Sequence, residues 1–202
     1  MRLLDTMTSI FDLAIKDYHE QDSVDGLYHN SFCKDSIEAI AYRKCWVDNI
    51  QWHLEDIIRK PDIEPAEALE IKRRIDKMNQ ERTDLVELID DYFVDRYKKT
   101  KPKYDAKINT ESPGCAIDRL SILAIKIYHW KYEAERKDAD EDHKANCNSK
   151  LSILIEQKED LKNSIKYLVH EIASGKKIMK VYRQMKMYND PELNPSLYRK
   201  KQ

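Results

Sequence analysis

The sequence predicts an all-α protein, a single-domain bundle of five to six mostly long helices. Only three glycines occur among the 202 residues, so few positions suit tight hairpin turns. Charged residues make up 36% of the chain, as expected for long helices with solvated outer faces. Apolar residues recur at alternating steps of three and four, which places them on one stripe of a helix. We expect the domain to cover residues 1–188 and a basic tail or loop to cover residues 189–202.

Start and stop signals divide the chain into helices. Ser36 is a candidate N-cap, and the helix after it must end before Pro61, because the residue before a proline avoids helical geometry. Pro65 suits a first turn, Ser112 with Pro113 supplies an N-cap and a first turn together, and Gly175 suits a C-cap. The predicted helices cover about residues 5–20, 37–60, 65–98, 113–135, 146–173 and 176–187.

Composition excludes several classes of partner. Lys and Arg number 36 against 37 Asp and Glu, so no global field attracts nucleic acid, and the basic end of the chain is interpreted as a solvated face. The N-terminal segment is a poor signal peptide, and no apolar run approaches a membrane span. The four cysteines form no C-x-x-C pair, which favours reduced thiols. We expect a cytoplasmic protein without membrane insertion.

Each long helix after the first carries polar exceptions on an apolar stripe. Arg82 interrupts the apolar stripe of the third helix, and Lys158 interrupts that of the fifth. A buried charge without a partner costs several kcal/mol, so a buried Arg82 must find an acid. Bundles that bury several ionisable groups often line a cavity with them. We therefore expect one polar pocket that gathers side chains from three helices: Gln51, His53, Arg82, Asp118, Arg119, Lys126 and His129.

Other motifs are interpreted as structural. No Glu-x-x-His pair occurs, and His129 with Glu133 has no second pair of matching spacing, so neither a metal nor another cofactor is expected. Acids three residues apart on the third helix, such as Glu87 and Asp90, are interpreted as a solvated face. The start of the fourth helix offers free N–H groups and is a candidate anion site near Arg119, unless Ser112 simply caps it.

Four segments carry a resemblance to a known family: "WVDNIQWHLEDIIR", "EALEIKRRIDKMNQERTDLVELID", "NTESPGCAIDRLSILAIKIYH" and "YRQMKMYNDPELNP". They resemble an uncharacterised bacterial family with a domain of unknown function, and the resemblance runs nearly end to end. It implies a bacterial, cytosolic, all-helical protein with no assigned activity. The core "AIDRLSILAIK" also resembles a motif of another uncharacterised family, one associated with surface-polysaccharide genes.

Our first hypothesis is a protein that binds or transforms an anionic small molecule, such as a sugar phosphate, a nucleotide sugar or a carboxylate. Three cations would hold the negative group through charge-assisted hydrogen bonds. An imidazole would transfer protons, because its pKa is accessible near neutrality. Asp118 and Glu55 would orient a histidine or balance an arginine, and Gln51 is a further ligand-binding candidate. The other candidate residues are His53 and His129 for proton transfer, and Arg82, Arg119 and Lys126 for the anion.

The alternative hypothesis is a non-catalytic interaction or scaffold protein, an accessory to surface-glycan assembly. In that case the buried polar groups only set the register of the helices. The contact region for a partner protein or a second copy of the chain would be the tyrosines and basic residues after Gly175.

Overall fold

The computed structural model describes residues 2–188 and 190–198. Within these ranges the chain forms five long helices, a short sixth helix and two very short strands. No helix of the described residues combines the length and the apolar character needed to cross a bilayer. In chain order the elements are α1 (Arg2–Gln21), α2 (Ile37–Ile58), α3 (Pro65–Tyr97), β1 (Lys107–Ile108), α4 (Pro113–Glu135), α5 (Glu141–Ala173), β2 (Lys177–Ile178) and α6 (Pro195–Tyr198). The prediction of an all-α bundle is confirmed.

The predicted caps form at the starts of α2 and α4. The hydroxyl of Ser36 accepts a hydrogen bond from the Ala39 N–H at 3.1 Å, and the hydroxyl of Ser112 accepts one from the Cys115 N–H at the same distance. Each bond satisfies an N–H that has no partner within its own helix. α5 begins five residues before the predicted Asn146, because Asp140 caps it through the His143 N–H.

The prediction of a basic helix over residues 176–187 is wrong. Ser174 is the C-cap of α5, and Gly175 follows it with a φ of +73° that suits glycine. The chain then forms β2, which pairs in parallel with β1. It then continues as irregular chain along α3, where Arg183 pairs with Glu87 and Asp91. An isolated helix of this length is marginal in water, so contacts with α3 decide the conformation.

The predicted tail over residues 189–202 is only partly described. Residues 190–198 contain a turn and the short helix α6, whereas residue 189 and residues 199–202 lie outside the described part of the chain. The predicted boundary at residue 188 therefore stays a prediction.

α4 is the central helix of the bundle and packs against each of the other four long helices. Its buried side chains meet Phe11 and Tyr18 of α1, Trp46 of α2 and Phe93 of α3 in one core. Burial of large apolar side chains supplies the main driving force for this packing. Polar side chains on the inner faces of α4, such as Asp118 and Ser121, therefore meet neighbouring helices, whereas Arg119 and Lys126 are exposed.

The start of α4 lies in close contact with α3. A Cβ atom added at Gly114 would lie 2.6 Å from the Val86 carbonyl oxygen and 2.7 Å from Asp90 Cγ. The first of these atoms belongs to the backbone and cannot rotate away. Glycine is therefore required where the two helices approach each other.

Gly114→Ala should destabilise the protein by about 1–3 kcal/mol, because the added methyl group forces α3 and α4 apart. Urea unfolding followed by circular dichroism measures the change in the free energy of unfolding. Gly26→Ala is the control, since the nearest atom to its added Cβ is at 3.0 Å and lies in an inter-helix segment. An equal effect of the two substitutions would contradict the close contact.

Candidate functional site

A buried ion network connects α2, α3 and α4. Lys44 of α2 is fully buried, and its ammonium contacts the carboxylate of Asp48, one turn later, and Asp118 Oδ1 of α4 at 2.5 Å. Arg82 of α3 binds the same Asp118 through two parallel hydrogen bonds, from Nε at 2.8 Å and from Nη2 at 2.6 Å. The acid that Arg82 was predicted to need is therefore Asp118. The two cations balance the two carboxylates.

Asp48 and Asp118 have different environments within this network. Ser121 donates a hydrogen bond to Asp48 Oδ2 at 2.6 Å, and Arg82 Nε lies 3.5 Å from Asp48 Oδ1. Burial raises the pKa of Asp48, and Lys44 offsets that rise only in part. Burial also opposes ionisation of Asp118, but Lys44 and Arg82 outweigh it and hold the pKa of Asp118 below its usual value. On acidification, Asp48 is the carboxyl that takes up a proton first.

The outer edge of the network opens into a polar cavity of about 740 Å³ between α3, the start of α4 and the segment 180–188. Arg82 and Asp118 form part of its wall, and Arg119 lies at its rim, paired with Glu111. The remaining charged groups of the lining are Lys180, Lys186, Glu87 and Asp90. This volume is that of a typical small-molecule site.

The predicted anion site at the start of α4 is already occupied by the protein itself. Asp90 Oδ1 accepts a hydrogen bond from the Gly114 N–H at 2.7 Å, and Asp90 Oδ2 accepts one from Ser112 at 2.6 Å. Burial raises the pKa of Asp90 despite these two hydrogen bonds. The prediction that Asp90 belongs to a solvated face is thus wrong, because this carboxylate is buried against the end of α4.

Three histidines from three helices meet at a second place. His19 of α1, His53 of α2 and His129 of α4 each offer a ring nitrogen, and these nitrogens lie within 4.8 Å of one another. The Nε2 atoms of His19 and His53 are 3.4 Å apart. Trp52 stacks on the His129 ring at a centroid distance of 4.7 Å, and Tyr18 stacks on His53 at 5.3 Å. We call these three residues the histidine cluster.

The rings of the histidine cluster are held in a partly desolvated environment. Nδ1 of His19 lies 2.7 Å from the Ile15 carbonyl oxygen, so this nitrogen carries the proton and Nε2 keeps its lone pair. Burial, followed by the two neighbouring imidazoles, lowers the pKa of His129 to about 4. Burial likewise lowers the pKa of His19. Both rings are therefore neutral at pH 7, and Nε2 of His129 has no hydrogen-bond partner among the described residues.

The structure separates the predicted site residues, and the expectation of one shared pocket is wrong. Asp118 and His129 are eleven residues apart on α4, or about 16 Å along the helix axis, so they lie at different levels of the bundle. The described lining of the cavity contains Arg82, Asp118 and Arg119, whereas His53 and His129 belong to the histidine cluster. The others lie outside both: Gln51 binds Asn79, Glu55 pairs with Arg59 at the surface, and Lys126 is exposed.

Sequence reasoning missed Lys44, Asp48 and His19. Lys44 and Asp48 are four residues apart on α2, which is apolar on adjacent stripes, so their spacing signals an internal ion pair. His19 continues the four-residue series of Phe11 and Ile15, both of which are buried. Signals of this kind are visible in the sequence, but the same spacing is common on solvated helices.

A third polar cluster lies at the junction of α4 and α5. Cys147 Sγ is 3.3 Å from His143 Nε2, and Glu133 Oε2 is 3.1 Å from the same nitrogen. A catalytic relay needs the acid on one ring nitrogen and the thiol on the other. Because both groups share Nε2, this cluster lacks the geometry of a nucleophilic site.

These features define the protein as an all-helical bundle whose central helix connects a charged cavity with a histidine cluster. Residues 38–181, most of the chain, match the family described as "Protein of unknown function (DUF4254)". The chain belongs to this family, which confirms the resemblance to a family with a domain of unknown function. Comparisons with curated proteins and with solved structures found no match.

Lys44→Met should lower the free energy of unfolding by about 3–5 kcal/mol, because it leaves two carboxylates facing one remaining guanidinium in the interior. Urea unfolding at pH 7 measures this loss. The control is Lys16→Met, which removes a lysine with 72% side-chain exposure and should change the free energy by less than about 0.5 kcal/mol. If the two variants unfold alike, the network does not stabilise the bundle in the way described.

Proposed function

We propose that the protein binds a small anionic molecule in the cavity between α3, the start of α4 and the segment 180–188. The observation that supports this proposal most directly is the charge balance of the lining. Two ammonium groups there, on Lys180 and Lys186, have no carboxylate within 4.0 Å among the described residues. An anion would compensate both.

The carboxylates of the lining, in contrast, already have donors. Asp118 is bound by Lys44 and Arg82, and Asp90 is bound by Ser112 and the Gly114 N–H. The other two acids of the lining also pair with arginines, Glu111 with Arg119 and Glu87 with Arg183. The uncompensated charge of the cavity is therefore positive, and it favours an anion over a cation.

Lys186 is the best-placed residue to bind such an anion. Its ammonium donates to the Asn79 carbonyl oxygen at 2.9 Å and to the hydroxyl of Thr83. An ammonium has three donors, so one hydrogen remains for a ligand. Both partners are neutral, so the full charge of Lys186 is available. The amine of Lys180, by contrast, lies over the ring of Tyr182.

The cavity volume suits a sugar phosphate, a nucleotide sugar or a carboxylate metabolite. We propose binding without a proton-transfer role for His53 or His129, since both belong to the histidine cluster. The four unpaired cysteines support placement in a reducing compartment, the cytoplasm of a bacterial cell.

A second candidate function is a non-catalytic interaction or scaffold role, as an accessory to surface-glycan assembly. Large apolar side chains are exposed on the chain after Gly175, among them Tyr182, Met185 and Tyr188. Exposed apolar side chains in one segment favour contact with another protein. If this role is correct, Met185→Ser should disrupt a complex of the protein, as measured by size-exclusion chromatography with light scattering. Small anions should have no effect on that complex.

The anion proposal predicts that Lys186→Met weakens binding roughly tenfold to a hundredfold, because it removes a charge-assisted hydrogen bond. A thermal-shift panel of glucose 6-phosphate, uridine diphosphate glucose, citrate and inorganic phosphate identifies the binding class, and calorimetry gives its affinity.

The matched control is Lys176→Met, which removes an exposed lysine just before that segment and outside the cavity lining. This variant should bind like the unmodified chain. The proposal fails if no compound of the panel raises the melting temperature, or if both lysine variants bind equally well.

A further inference from the structure

The geometry points to a metal site at the histidine cluster, in which His19, His53 and His129 bind one transition-metal dication, with Zn²⁺ as the best match. The inference is independent of the anion-binding cavity, because the histidine cluster belongs to a different part of α4. It departs from the expectation, based on sequence spacing, that no metal binds.

The spacing of the nitrogens fits tetrahedral coordination. With Zn–N bonds of 2.0–2.1 Å, two ligand nitrogens of a tetrahedron lie about 3.3–3.4 Å apart. The Nε2 atoms of His19 and His53 are separated by 3.4 Å, so this pair already has the length of one tetrahedral edge. The ligand nitrogen of His129 lies within 4.8 Å of both, so it would have to approach them when a metal binds.

Two of the rings offer Nε2 as a ligand atom. The Ile15 carbonyl accepts the Nδ1–H of His19 at 2.7 Å, which fixes the tautomer and leaves Nε2 as the ligand atom. A backbone carbonyl in this position is a common outer-shell partner of a metal-binding histidine. Nε2 of His129 is buried and has no hydrogen-bond partner among the described residues. A metal ion would satisfy this nitrogen.

Aromatic side chains restrict the motion of the rings before any metal arrives. Trp52 stacks against His129 with an interplanar angle of 7°, and Tyr18 stacks against His53 with an angle of 18°. Tyr128 lies against His19 with 4.0 Å between the ring centroids. Because these aromatic walls restrict the side chains, little conformational entropy remains to be lost when a metal binds.

The ligand set selects the kind of metal. Three imidazoles and no carboxylate in the cluster favour Zn²⁺, Cu²⁺, Ni²⁺ or Co²⁺ over Mg²⁺ and Ca²⁺, which prefer oxygen ligands. Three protein ligands leave the fourth tetrahedral position for water or another small ligand. The metal would also join α1, α2 and α4 to one another, in addition to their apolar packing.

The test uses tag-free, full-length protein stripped with EDTA and titrated with Zn²⁺ by calorimetry. We expect one Zn²⁺ per chain. His19→Gln, His53→Gln and His129→Gln should each weaken binding by at least about a hundredfold, which is the upper end of the loss for an outer-shell partner. Far-UV circular dichroism of each metal-free variant verifies that it folds.

Two other histidines serve as matched controls. His29→Gln changes an exposed residue after α1, and His143→Gln changes the partner of Cys147. Both variants should bind Zn²⁺ like the unmodified chain. If His143→Gln abolishes binding and the cluster variants do not, the site has been assigned wrongly.

A spectroscopic measurement on the unmodified chain is independent of any variant. Co²⁺ in a tetrahedral site with nitrogen ligands gives intense visible d–d absorption without a sulfur-to-metal charge-transfer band. We expect that spectrum at one equivalent of Co²⁺. A charge-transfer band would indicate a cysteine ligand and overturn the proposal, as would the absence of both Zn²⁺ binding and Co²⁺ absorption.

Discussion

The buried ammonium of Lys44 imposes the constraint on which the arrangement of α2, α3 and α4 depends. It has no contact with water, so carboxylates must surround it, and one of them, Asp118, comes from another helix. Asp118 also pairs with Arg82, the second cation of the network. A charge-balanced cluster of this kind is not a strong source of stability in itself, because desolvation offsets much of the attraction. It does penalise any other register of the three helices, since a shift would leave at least one charge buried without a partner.

α4 contributes polar contacts at three positions along its length. Near its N-terminus, Gly114 lets Asp90 of α3 approach and accept hydrogen bonds from the Gly114 N–H and the Ser112 hydroxyl, which an external anion could otherwise bind. Further along, Asp118 connects the buried network with the cavity. In its C-terminal half, His129 meets one histidine from each of α1 and α2. The apolar side chains between these positions anchor the helix, so the polar ones have fixed locations.

The helices could be predicted from the sequence, because periodicity and caps depend on one segment of the chain at a time. The need of Arg82 for an acid could also be predicted, because the cost of a buried charge does not depend on which acid meets it. Which residues of different helices contact one another could not be predicted. The spacing of polar residues on one helix does not reveal which neighbour they meet, so His53 and His129 were placed beside Arg82, and His19 was overlooked. Residues 176–187 have the composition of a helix, but ion pairs with α3 hold them in another conformation. Here tertiary contacts outweigh the local helix propensity of the sequence.

The central claim, that charge balance in the interior holds α3 against α4, is tested most directly by a double-mutant cycle of Arg82→Met and Asp118→Asn. Each single substitution leaves the network with an unbalanced charge, whereas the double variant leaves the neutral pair of Lys44 and Asp48. The account predicts that the double variant is more stable than the sum of the two single losses implies, by at least about 1 kcal/mol. Losses that add to within about 0.5 kcal/mol would contradict it, because they would show that the two residues act independently.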